Sequence, residues 1–113
     1  MNYMLLIYHD EQAFIGLTED ERQELYKEYR QLREELTSNG TFLSGSQLQP
    51  TSTANSVRVR SGKPMITDGP FAETKEQLGG YFLIEVATAE EANAIAARIP
   101  SARVGTIEVR ALA

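Results

Sequence analysis

The chain has no cysteine, one histidine, and a main apolar run that extends only from Met4 to Tyr8. Without cysteine there can be no disulfide, thiolate zinc site, iron–sulfur cluster or cysteine nucleophile. The same absence fits a reducing compartment and leads us to expect a cytoplasmic protein. A single imidazole among scattered carboxylates gives no metal-ligand spacing, so we expect neither metal nor organic cofactor. The apolar run is far too short to span a bilayer. No basic stretch followed by a long apolar one marks a signal peptide. Positive charge is scarce as well. Eleven Lys and Arg face sixteen Asp and Glu, a net charge of −5. With no segregated basic patch, such a chain repels phosphate backbones, which argues against nucleic-acid binding.

What is present suffices for one domain spanning residues 1–113. Residues 2–8, "NYMLLIY", are apolar on both faces, as in a central strand. "HDEQAFIGL" reads as a loop. Thr18-x-x-Glu21 is a capping-box pattern, and Leu25, Tyr29, Leu32 and Leu36 then recur on one face of a helix that Asn39-Gly40 ends. Residues 41–48 suggest a second strand. "SVRVR" and "KPMIT" flank Ser61-Gly62 as a hairpin over residues 56–67, with Pro64 suited to an edge. Residues 79–86 form the next strand, and Thr88-x-x-Glu91 opens a helix carrying Ala92, Ile95, Ala96 and Ile99. Residues 105–111 alternate as a last strand.

With the hairpin set aside, the order is β-α-β-β-α-β. This predicts an α+β, ferredoxin-like antiparallel sheet with both helices on one face. The first and third core strands, the two most apolar, fall at its centre. Phe82, Ile84 and Val86 are assigned to the helix side, which leaves Tyr81, Leu83 and Glu85 on the other. That second face is too apolar to leave in water. We expect a homodimer packed sheet against sheet. The alternative is that the hairpin at 56–67 folds over its own sheet.

"YMLLIYHDE", "TDGPFAETKEQLGGYFLIEV" and "AARIPSARVGTIEVR" together resemble the YCII-related family in its DGPF-containing branch. The likeness extends over nearly the whole chain. It implies a ferredoxin-like fold of the dimeric α/β-barrel kind and names no activity. It also implies a genomic association, in some members, with sigma factors of the extracytoplasmic-function type. In smaller relatives it implies a His–Asp active site.

His9, the sole imidazole, is the natural proton carrier near neutral pH. Asp10 is its neighbour but points the other way if the strand continues. Asp68 is the candidate partner if the Asp68-Gly69-Pro70-Phe71 turn folds back to the strand end, giving a His9–Asp68 acid–base pair. The competing reading is a solvated strand end and a turn-forming aspartate. Tyr8, Arg58, Thr67, Phe71, Tyr81 and Glu85 are candidate contacts for a small-molecule ligand. Arg58 and Arg60 could clamp a carboxylate or simply form the wet face of a hairpin. Phe71 is expected to anchor its turn in the core. Glu85 could pair with an arginine such as Arg110, while Glu73 and Lys75 read as a solvated turn. Gly79-Gly80 invites close approach of another backbone or a ligand. Two functions remain open: a cofactor-independent enzyme using His9 and Asp68, or a non-catalytic ligand- or protein-binding module with a regulatory role.

Overall fold

The computed structural model describes all 113 residues. In chain order it contains β1 (Asn2–His9), α1 (Glu11–Ile15), α2 (Glu19–Ser38), β2 (Phe42–Gln47), β3 (Asn55–Arg60) and β4 (Lys63–Asp68). β5 (Gln77–Glu85), α3 (Ala89–Arg98) and β6 (Thr106–Ala111) follow. Four strands form one antiparallel sheet in the order β2-β5-β1-β6, and β3 and β4 form a separate two-stranded sheet. This is the expected ferredoxin-like α+β arrangement, with β1 and β5 at the centre.

Alternation along the central strands decides what is buried. Tyr3, Leu5 and Ile7 of β1 and Phe82 and Ile84 of β5 share the helix side with Leu32, Leu36, Ala92, Ala96 and Ile99. Leu5 and Ile84 are fully withdrawn from water. Each such aliphatic side chain contributes about 1.5–3 kcal/mol of burial. Met4, Leu6, Tyr8, Tyr81 and Leu83 point to the opposite face and stay half-exposed. No helix is long and apolar enough to cross a membrane.

The ends of α2 follow the capping logic. The Thr18 N–H donates to Glu21 Oε1 at 2.9 Å, and the Glu21 N–H donates to Thr18 Oγ1 at 3.1 Å. Asn39 caps the other end, and Gly40 takes φ of 79°. At α3 the box is displaced. The Glu91 N–H donates to Thr88 Oγ1, but the Glu91 carboxylate accepts from Ala87 N–H.

Two differences from expectation stand out, and one alternative is excluded. The segment after β1 is not all loop: Asp10 accepts from Gln12 N–H at 2.9 Å and caps the one-turn helix α1. β5 begins at Gln77, two residues early, because Tyr8 and His9 still find partners in Leu78 and Gln77. The hairpin does not fold over the sheet. β3 and β4 pack on each other and have no extended contact with the body. Ser61 and Gly62, with φ of 51° and 74°, form the hairpin turn with both central residues left-handed.

Two outcomes follow for stability. Leu5→Ala should cost about 2–5 kcal/mol in denaturant unfolding, since the site is enclosed on all sides. The Thr18 hydrogen bonds hold the Glu21 carboxyl below its ordinary range. Their contribution is therefore whole above the unfolded pKa and is lost as pH falls through the lower folded one. Stability of the wild type should decline more steeply than that of Thr18→Ala as pH drops from 5. Parallel slopes would contradict the capping account.

Candidate functional site

β1 ends at His9 on the helix side of the sheet, where β5 carries an irregularity. Ile7 pairs with Gly80 and Tyr8 with Leu78, so Gly79 is the extra residue of a bulge. The imidazole rests on this glycine. A β-carbon at residue 79 would collide with His9 Nε2 and Cδ2. At Gly80 a β-carbon would lie 2.8 Å from the Ser46 carbonyl oxygen of β2. The glycine pair therefore accepts a side chain at one residue and a neighbouring strand at the next.

The ring is covered from the other side by α1. Asp10 turns the chain, and Phe14 comes back over His9 with ring centroids 5.5 Å apart. Phe14 in turn meets Tyr26 at 6.4 Å and lies 5.8 Å below the Arg22 guanidinium. Glu11 fastens α1 to the segment after β2 by accepting from the Thr51 N–H and hydroxyl, both at 3.0 Å.

A cleft of about 120 Å³ opens beside His9, between α2 and the sheet. Ile7, Leu25 and Phe82 give it an apolar floor, and Tyr26, Tyr29, Arg33 and Ser101 line its polar part. A smaller cleft of about 80 Å³, which Glu11 also lines, shares His9, Phe14, Gln47 and Gly79 with it. Tyr29 Oη and Ser101 Oγ are 2.6 Å apart, and Ser101 is buried. Burial pushes the Tyr29 phenol above its ordinary range, partly offset by the bond to Ser101. Four ion pairs occur in the chain, and none includes Arg33 or His9. No buried side-chain nitrogen or oxygen lacks a partner, and the imidazole, which makes no side-chain hydrogen bond, therefore reaches solvent.

The other candidate residues lie elsewhere. Asp68 ends β4, is exposed, and pairs in register with Asn55. It lines neither cleft, and no ion pair joins it to His9. The reason is local. Gly69, at φ of 91°, donates to the Ala54 carbonyl at 2.7 Å and keeps the turn with the hairpin. Arg58 and Thr67 lie on that exposed hairpin, and Tyr81 and Glu85 lie on the open side of β5. Phe71 is no anchor, being 83% exposed. With Tyr8 it borders a wider groove of about 610 Å³ at the hairpin root. Arg110 pairs with Glu108 of its own strand and not with Glu85.

Tyr26, Tyr29 and Arg33, at spacings of three and four on α2, were legible as one helix flank. Only the fold shows that this flank faces His9.

Replacing Tyr29 with Phe leaves the buried Ser101 hydroxyl without its partner, at a cost of about 1–3 kcal/mol. The raised phenol pKa means that stability linked to Tyr29 is whole below pH about 10 and falls as pH rises toward the folded value. Denaturation between pH 8 and 11 should show this decline in the wild type and less of it in Tyr29→Phe. Gly79→Ala should displace the imidazole, read as a change in the His9 ring-proton shifts with the fold retained. Unchanged shifts would mean the ring does not rest on residue 79.

The profile of the YCII-related domain family matches residues 1–113. An uncharacterised protein of Rhizobium meliloti (strain 1021) is 34% identical over 115 residues, covering 100% of this chain and 93% of that one.

Proposed function

The chain belongs to the YCII-related domain family, and from that membership and the His9 cleft we propose that it is a cofactor-independent enzyme acting on a small organic acid. The Asp68-Gly69-Pro70-Phe71 turn supports placing it in the DGPF branch. The observation that carries the proposal is a solvent-reaching imidazole on the rim of an apolar-floored cleft whose one lining guanidinium, that of Arg33, has no ion-pair partner. A cleft of about 120 Å³ approaches the roughly 150 Å³ that holds a benzene ring. In this reading Arg33 binds the acid group, Tyr29 and Ser101 supply hydroxyls, and His9 carries a proton to or from the bound molecule. Asp68 belongs to the mechanism only if a rearrangement or a second protomer brings it to the ring. We place the protein in the cytoplasm, as a homodimer that covers the open sheet face.

The second reading, a binding module with a regulatory role, is favoured by the absence of a carboxylate bonded to His9. One experiment separates the two. Benzoate and benzyl alcohol are titrated into labelled protein while the His9 ring protons are followed. α-Proton exchange of small 2-oxo acids is then measured in D2O. Benzoate should bind at least tenfold more tightly than benzyl alcohol, and Arg33→Gln should remove the difference. The enzyme reading predicts exchange that His9→Ala abolishes while benzoate binding survives. Binding without exchange favours the module, and no perturbation of His9 by either compound would refute the cleft as the site.

A further inference from the structure

The β3–β4 hairpin is the least explained part of the molecule. It projects as an arm. The radius of gyration is 15.9 Å, against about 13 Å for a compact chain of this length. A two-stranded sheet packed on nothing is marginally stable in water. This one also has an apolar side. In the register, Val57 faces Ile66 and Val59 faces Pro64, so these four residues share one face. Val57, Val59 and Ile66 are 62%, 60% and 68% exposed. The opposite face carries Arg58, Arg60 and Lys63, with Met65 across from Arg58. Residues 56–67 hold three of the eleven basic residues and none of the sixteen acidic ones.

We infer that this arm is an exchanged dimerisation element: in the homodimer, each protomer's arm lies along the second copy, beside the contact between the open sheet faces. The inference rests on the homodimer reading given above and specifies what completes it.

Area supports that occupant. Four strands about 4.8 Å apart and about 20 Å long offer on the order of 400 Å². A stable interface needs about 800 Å² from each partner. The open sheet face alone supplies about half of that, and one face of the arm brings the total to about 600 Å², which narrows the gap without closing it. The groove of about 610 Å³ at the arm root, bordered by Tyr8, Leu48, Phe71 and Leu78, continues the open face outward. A two-fold arrangement presents this groove to the partner's arm and the arm to the partner's groove. Charge points the same way. Between residues 56 and 67 the arm is basic, with the one carboxylate, Asp68, at its root, and the rest of the chain holds the other fifteen, so the arm is attracted to another copy's body. A ribbon two strands wide lets the long Arg and Lys side chains reach past its edges.

The test uses the full chain in light scattering and a spin label. Wild type should be a dimer at micromolar concentration. The double variant Val57→Lys/Ile66→Lys should raise the dissociation constant at least tenfold while leaving the far-UV spectrum and monomer stability intact, because the arm has no extended packing on its own chain's body. The absence of native cysteine allows Val59→Cys to carry a nitroxide, which should be immobilised in the dimer and mobile on dilution. A dimer that ignores the double substitution and leaves the label mobile overturns the arm inference and keeps the homodimer reading. A wild type that stays monomeric at all concentrations overturns both.

Discussion

The His9 imidazole occupies space that any residue but glycine at position 79 would fill. That close approach organises the end of the molecule where the site lies. It requires the bulge in β5, which lets the strand pass beneath a ring without losing its pairing to β1. It fixes the ring on the helix side, where Phe14 covers it and α2 supplies Tyr26, Tyr29 and Arg33. The opening stretch of β5 is therefore more than a strand start. Its two glycines make room for a side chain from one neighbouring strand and a backbone carbonyl from the other.

The central pair of strands imposes a second constraint. β1 and β5 are apolar on both faces, and two helices can cover only one. The core side is closed by Leu32, Leu36, Ala92, Ala96 and Ile99. The other side keeps Met4, Leu6, Tyr81 and Leu83 in partial contact with water. The arm repeats the same imbalance on a smaller scale, with one apolar and one basic face. Two incompletely covered surfaces on one small acidic chain are the physical reason to think of it as half of an assembly.

Much of this fold was legible in the sequence because its signals are local. The Thr18–Glu21 box, the Asn39-Gly40 stop and the alternation around Ser61-Gly62 each act within a few residues, and each appears as read. The site was less legible because it depends on what different elements bring together. His9 could be singled out as the sole imidazole, but its neighbours Phe14, Arg33 and Ser101 lie 5, 24 and 92 residues away in the chain. The pairing with Asp68 was argued from turn chemistry, yet Gly69 holds that turn to Ala54 on the hairpin. Phe71, the one large apolar side chain of its turn, suggests an anchor, and here it faces solvent. One-turn helices such as α1 are also hard to see in advance, since five residues show no periodicity and the Asp10 cap starts them.

The measurement that bears most directly on this account is a nuclear Overhauser experiment on the His9 ring, free of assignment ambiguity because the chain has one histidine. The account predicts strong cross-peaks from the ring protons to the Gly79 α-protons and weaker ones to the Phe14 ring. A His9 ring with no cross-peak to Gly79, showing contacts only along its own strand, would contradict the site as described.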